Sequence, residues 1–225
     1  MSQQPKTEMR PSRTMEAGVF FGIAIDAIRE IEDDPRRGGK RSALVSVVFS
    51  VIALEAFVNE MTELAQNFAS PQPAEVTVFA QMMGEADRAS LEFRLLLAHW
   101  ILTGRMMDKG SPPYQDFALL ISLRNDLVHT RPNEVFTHGQ STNEEVHKRL
   151  VTKFRSKNIL AVEPSGSWTH LVQTRAVAEW SARTVAAVVA EVCSGTSQSD
   201  LQKTLTAINQ LFQSYISQII GCRKV

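Results

Sequence analysis

The chain has 225 residues, which is long enough for one large domain, or one domain with an appendage, and for a substantial hydrophobic core. It carries 24 lysines and arginines against 24 aspartates and glutamates, so its net charge does not indicate nucleic-acid binding. The two cysteines, Cys193 and Cys222, lie on separate segments without a CxxC pair, which argues against a disulfide framework and indicates reduced thiols.

The first residues and the apolar content predict a soluble, cytoplasmic protein. Residues 1–14 are polar, contain prolines and lack the apolar core of a secretory signal, so we expect a disordered tail there. The longest apolar run, residues 43–54, is too short to span a bilayer and contains Ser46 and Ser50. We therefore expect no membrane contact.

Apolar residues recur at spacings of three and four along most of the chain, which predicts an all-α protein. Helices are expected at about residues 15–33, 41–68, 75–84, 86–105, 112–130, 143–157, 171–193 and 200–221. The second is apolar on nearly all sides through its first half, which places it at the centre of a bundle. His99, on the fourth, is expected to be a core histidine. The sequence shows no glycine-rich phosphate loop and no carboxylate cluster, so we expect no cofactor and no metal.

The helix expected at residues 112–130 carries the most informative stretch. Ser111 can cap its first turn, and Pro112 and Pro113 suit positions where backbone N–H groups lack helical partners. Its predicted core-facing stripe consists of Phe117, Leu120, Ile121, Leu127 and Val128.

Arg124 falls within this stripe. A buried guanidinium needs a carboxylate, an anion or a water-filled cleft beside it. Asn125 and His129 are four residues apart and share one face, while Arg124 and His129 lie on neighbouring faces about 7.5 Å apart along the axis. Arginine offers a planar fork that matches a phosphate, and histidine can exchange a proton near neutral pH. Together these side chains suit phosphodiester chemistry.

The pattern Arg124-Asn125-x-x-x-His129 on a late helix of an all-helical protein resembles the signature of the HEPN superfamily. Many members are metal-independent endoribonucleases that act as toxins or antiviral defence effectors. The segment from Glu55 to Glu60 is similar to the glutamate-bearing helix of such proteins. The resemblance covers about residues 15–132 and implies a HEPN-like helical bundle of four to five core helices. Residues 133–225 would then form a C-terminal helical extension that packs on the core or at a dimer interface.

The resemblance also implies a mechanism. RNA is the expected substrate, because its 2′-hydroxyl attacks the adjacent phosphate and leaves a 2′,3′-cyclic phosphate. Arg124 would stabilise the developing charge, His129 would act as acid or base, and Asn125 would hold the phosphate or the histidine ring. One histidine hardly serves as acid and base together, so a two-fold homodimer is expected to bring two copies of the site to one cleft. An antitoxin or another regulatory protein is a further expected partner.

Two sets of residues leave alternatives open. Glu55 is either a surface acid where the buried part of its helix ends, or the partner of Arg124 or His129 across the core. Residues 147–157 contain no acid but five basic residues: Lys148, Arg149, Lys153, Arg155 and Lys157. They form either a solvated helix face or an RNA-binding surface.

Two other functional interpretations keep the same fold. In the first, the protein is a noncatalytic HEPN-like module that binds RNA or another protein. In the second, Arg124 pairs with Glu55, His129 caps its helix, and both are purely structural. An enzyme is the favoured interpretation of the three.

Overall fold

A computed structural model describes residues 15–33, 39–67, 78, 81–82, 84–129, 143–160, 168–194 and 199–221. Its helices are α1 (Glu16–Asp33), α2 (Gly39–Asn67), α3 (Leu91–Thr103), α4 (Tyr114–Val128), α5 (Asn143–Ser156), α6 (Trp168–Val172), α7 (Arg175–Cys193) and α8 (Ser199–Gly221). A short 3-10 turn, Ala86–Arg88, precedes α3. These ranges contain no β-strand, so the predicted all-α class is confirmed.

Helices α1 and α2 form an antiparallel hairpin that is tied at both ends. Where α1 ends and α2 begins, the Ser42 hydroxyl donates to Glu30 Oε2 at 3.0 Å. At the opposite end, the backbone N–H of Ala17 donates to Glu60 Oε1 at 2.9 Å, so a carboxylate of α2 caps the first turn of α1. Burial raises the pKa of Glu60, and the backbone N–H donors partly oppose that shift.

Helix α8 runs alongside α1 in the same direction and approaches it closely at two glycines. A Cβ atom on Gly18 would lie 2.7 Å from Cδ2 of Leu211, and one on Gly22 would lie 3.2 Å from the Tyr215 hydroxyl. The rings of Phe21 and Phe212 stack at 4.4 Å between the two helices. Glycine at these positions therefore permits the close contact that buries both phenylalanines.

Helix α7 packs against α1, α2, α3, α4 and α8. One cluster of buried side chains draws on each of the helices α1 to α8 described above, so the C-terminal helices share a core with the N-terminal hairpin. Cys193, at the end of α7, is a buried free thiol whose pKa burial raises to about 12. Cys222 lies outside the described residues.

Several predicted helix boundaries are off by two residues or more. Three of these errors have a visible cause in the structure, and side-chain caps explain two of them. Helix α3 begins at Leu91 because the Ser90 hydroxyl accepts from Phe93 N at 3.2 Å, and it does not continue from the turn at Ala86–Arg88. A separate short helix, Trp168–Val172, precedes α7, since Thr174 caps the latter by accepting from Val177 N at 3.3 Å.

The third error concerns α4, which begins at Tyr114 rather than at residue 112. Ser111 does not cap it, because its hydroxyl donates to the backbone oxygen of Asp108 at 3.2 Å. The tail expected at residues 1–14 and most of the helix expected at residues 75–84 lie outside the described residues.

Within the described ranges, one helical segment, Lys40–Met61 of α2, has the length and composition to cross a membrane. Its most apolar stretch is 61% buried inside the protein, as the core helix of a soluble protein also is. The fold is therefore compatible with a soluble protein.

Candidate functional site

The first turns of α4 are held firmly by their neighbours. The Tyr114 hydroxyl donates to Glu92 of α3, and Lys109 Nζ lies 3.9 Å from the same carboxylate oxygen. Asp116 forms an ion pair with Lys157, just beyond α5, at 2.5 Å. The core-facing side chains of these turns are Phe117, Leu119, Leu120 and Leu123. The start of α4 is thus fixed to α3, to α5 and to the core.

The last turn of α4 leaves the core. Phe117 and Leu120 are fully buried, as predicted, whereas Ile121 and Leu127 are only half-buried. The prediction that Val128 belongs to the buried stripe is wrong, since it is 49% exposed. After Leu123, Asn125, Val128 and His129 are exposed, and no residue up to His129 is fully buried.

Arg124 lies at the boundary between these two parts of α4. Its side chain is half-buried, and Nη1 donates to Asn125 Oδ1 at 3.1 Å. Its Nε is buried without a hydrogen-bond partner among the described residues. A donor of this kind is a cost to the fold unless a ligand or another chain satisfies it.

Asn125 and His129 are both exposed and lie one helical turn apart. His129 directly follows the last helical residue, and its backbone N–H donates to the carbonyl oxygen of Asn125 at 2.8 Å. This bond keeps His129 above Asn125, on the side expected from the sequence. Within the described part of the chain, no residue hydrogen-bonds to the His129 ring.

Glu55 lies on α2, which packs against α4, and its side chain is half-buried. Among the residues that the structure describes, no ion pair joins Glu55 to Arg124 or to His129. Its supporting role at the site stays a prediction.

The five basic residues of α5 and the turn after it do not behave as one group. Lys153 and Arg155 are exposed, but Lys157 is paired with Asp116. Phe154, between Lys153 and Arg155 in the sequence, is fully buried, and its ring lies 5.0 Å from that of Trp180. The side chains of Lys148 and Arg149 lie outside the described residues. Lys153 and Arg155 are therefore the described cations of this set that solvent reaches most freely.

His99 is a buried core residue that is 2% exposed. Its Nδ1 must donate to the carbonyl oxygen of Arg105, 2.9 Å away, because a carbonyl can only accept. Nε2 lies 3.4 Å from Glu191 Oε1, without hydrogen-bond geometry. These contacts give His99 a role in joining α3 to α7. Among the described residues, no group of three His, Cys, Asp or Glu side chains could hold a metal ion.

Comparisons with protein-family models, with curated proteins and with solved structures found no match to this chain.

Proposed function

We propose that this protein is a metal-independent endoribonuclease with a HEPN-like helical bundle, acting in the cytoplasm as a toxin or antiviral defence effector. The observation that carries the proposal is the last turn of α4. There the half-buried guanidinium of Arg124 donates to Asn125, and the exposed His129 follows one turn beyond Asn125, at the end of a helix whose start is fixed in the core.

The chemistry assigned to these side chains needs no group beyond the protein and RNA. A base removes the proton of a ribose 2′-hydroxyl, and the oxygen attacks the adjacent phosphorus. The bond from phosphorus to the 5′ oxygen breaks, and an acid protonates that oxygen. The products are a 2′,3′-cyclic phosphate and a 5′-hydroxyl. His129 exchanges protons in this scheme.

Arg124 and Asn125 form the phosphate-binding part of the proposed site. The half-buried guanidinium would stabilise charge on the non-bridging oxygens as the pentavalent phosphate forms. Its bond to Asn125 Oδ1 limits the positions that the guanidinium can adopt. A homodimer would supply a second histidine, so that one His129 removes a proton while the other donates one. Lys153 and Arg155 are the candidates for contact with the RNA backbone.

A second candidate function is a noncatalytic HEPN-like module that binds RNA or a protein partner such as an antitoxin. One observation favours it. No described residue orients the His129 ring, whereas a catalytic base is commonly held by a third group.

The test is cleavage of a mixed, labelled RNA in excess chelator, with analysis of the fragment ends. We expect fragments that end in 2′,3′-cyclic phosphate from the wild-type protein and from the control Ser122→Ala, which changes an exposed residue of the same helix. His129→Ala should produce none. Absence of cleavage by folded wild-type protein over a broad RNA panel, combined with RNA binding, would favour the noncatalytic module.

A further inference from the structure

Helix α3 exposes two aromatic side chains on the side that points away from the core. Leu95, Ala98 and His99 are buried, and the helix packs against α2 and α7. On the opposite side, Phe93 is 53% exposed and Trp100 is 43% exposed. The helix thus buries a histidine and presents a phenylalanine and a tryptophan to water, whereas a surface helix normally has polar side chains there.

The exposed rings belong to one row of residues, which we call the outer stripe of α3. Spacings of four, three and four separate its members Phe93, Leu97, Trp100 and Gly104, so they follow one another along one side of the helix. Leu97 is half-buried. A Cβ atom on Gly104 would meet no heavy atom of the described residues within 4 Å, so this end of the stripe is open.

Two exposed arginines flank the outer stripe. Arg88 lies in the turn before α3, and Arg105 directly follows Gly104. Neither guanidinium forms an ion pair with another described residue. The order along the helix is therefore a cation, two aromatic rings and a second cation, which is the combination that single-stranded nucleic acids require.

The acids near the stripe offset these cations only in part. The Glu92 carboxylate accepts from the Tyr114 hydroxyl, and Asp108 Oδ1 accepts from the Gly110 N–H at 2.8 Å. Glu85 is exposed and lies close to Arg88 in the sequence, so it lowers the positive potential at the start of the stripe. Positive charge at the other end, where Arg105 lies, should consequently attract an anion more strongly.

We propose that the outer stripe of α3 binds single-stranded RNA, with bases stacked on Phe93 and Trp100 and phosphates paired with Arg88 and Arg105. Every base has a π-face that stacks on an aromatic ring, and cations beside the rings bind the backbone. The two rings are seven residues apart, or about 10.5 Å along the helix, which is about three times the 3.4 Å spacing of stacked bases. A run of about four nucleotides therefore spans both rings.

This site deepens the proposed function and rests on it for RNA as the natural ligand. Stacking on an aromatic ring does not involve the 2′-hydroxyl, so single-stranded DNA should bind the stripe as well. The proposed cleavage needs that hydroxyl, so DNA stays intact. Binding of DNA tests the stripe whether or not the protein cleaves RNA.

The test uses a labelled oligothymidylate and the full chain, with binding measured by fluorescence anisotropy. Phe93→Ala and Trp100→Ala should each raise the Kd about tenfold or more, because each removes one stacked base. Trp100→Phe keeps a ring and should retain most of the affinity. The control Ile220→Ala truncates an apolar side chain of α8 that is 50% exposed, and it should leave the Kd unchanged.

Trp100 also reports on the contact directly. Of the three tryptophans, Trp168 is 6% exposed and Trp180 is half-buried. Oligothymidylate should therefore quench the fluorescence of the wild-type protein and have little effect on Trp100→Phe. Arg105→Ala should reduce the slope of log Kd against log salt by about 0.7, the value for one phosphate contact on a single strand.

Three results would overturn the proposal: no binding of oligothymidylate or oligouridylate by the folded protein, a Kd that neither ring substitution changes, or equally tight binding of the same strand annealed to its complement. A dimer that Trp100→Ala dissociates, in a protein that binds neither oligonucleotide, would assign the stripe to a second copy and also overturn it. Oligothymidylate binding that depends on Trp100, without RNA cleavage, would count only against the ribonuclease proposal. The two failures are thus distinguishable.

Discussion

The two ends of α4 differ in what surrounds them, although one continuous helix joins them. Tyr114, Phe117 and Leu123 are buried at its start and middle, whereas Asn125, Val128 and His129 are exposed at its end. The difference suggests a division of labour, in which the buried turns fix the position of the helix and the exposed turn is available for chemistry. Substitutions along α4 should therefore lose their effect on stability towards its C-terminus.

The largest loss of stability is expected for Phe117→Ala. The Phe117 side chain is fully buried, and its removal leaves a cavity that should lower the free energy of unfolding by about 3–5 kcal/mol. Urea unfolding followed by circular dichroism measures this loss. Val128→Ala, at an exposed position of the same helix, should change the unfolding free energy by about 0.5 kcal/mol or less. Equal losses in the two variants would contradict the distinction between a buried start and an exposed end of α4.

A smaller loss is expected for Tyr114→Phe, which removes the hydroxyl that donates to Glu92 and should cost about 1 kcal/mol at neutral pH. The bond to Glu92, burial and the charge of Glu92, in that order, raise the pKa of Tyr114 to about 12 from an ordinary value of 10.0.

The raised pKa of Tyr114 determines how this loss depends on pH. Because the fold favours the neutral phenol, the stabilisation is fully present below the ordinary value of 10.0 and is lost as the pH rises through about 12. Unfolding curves at pH 7, 9 and 11 should show that the difference in unfolding free energy between wild type and Tyr114→Phe is smallest at pH 11. A difference that stays constant with pH would show that the Tyr114 hydroxyl does not stabilise the fold through its bond to Glu92.

A loss of stability smaller than that of Tyr114→Phe is expected for Arg124→Ala. Arg124 is half-buried and bonds only its neighbour Asn125 among the described residues, so the loss should stay below about 1 kcal/mol. RNA cleavage should nevertheless fall by about 10²–10³-fold, the cost of removing one donor that stabilises transition-state charge. Arg124→Lys keeps the charge but loses the planar fork. Its rate of RNA cleavage should therefore lie between the rates of the wild-type protein and of Arg124→Ala. A loss of stability as large as that of Phe117→Ala would assign Arg124 to the core.

Periodicity predicted the all-α class and the position of α1 to within one residue, because both depend on residues close in sequence. The predicted helix boundaries were wrong where more than one side chain could cap the helix. Ser90 caps α3, but Ser111, which looks equally suitable, donates to a carbonyl instead. A sequence does not show which hydroxyl meets a free backbone N–H, since that depends on the path of the preceding turn.

Contacts between residues distant in sequence could not be predicted either, because they depend on how the chain folds. Glu60 caps the first turn of α1 from 43 residues away, and only the folded hairpin brings the two together. Lys157 looks like its basic neighbours in the sequence, yet it pairs with Asp116 of α4. The contact of Arg124 with Asn125 and the position of His129 one turn beyond Asn125 depend only on residues close in sequence, so a sequence can predict them. The exposure of Val128 could not be predicted, since it depends on which other elements pack around the end of α4.

The most direct test of the account measures unfolding and RNA cleavage on the same preparation of His129→Ala. Because His129 is exposed and its ring has no hydrogen-bond partner among the described residues, its unfolding free energy should match that of wild type within about 0.5 kcal/mol, while cleavage falls to background. Undiminished cleavage by a fully folded His129→Ala protein would contradict the central claim that the exposed end of α4 is a ribonuclease site.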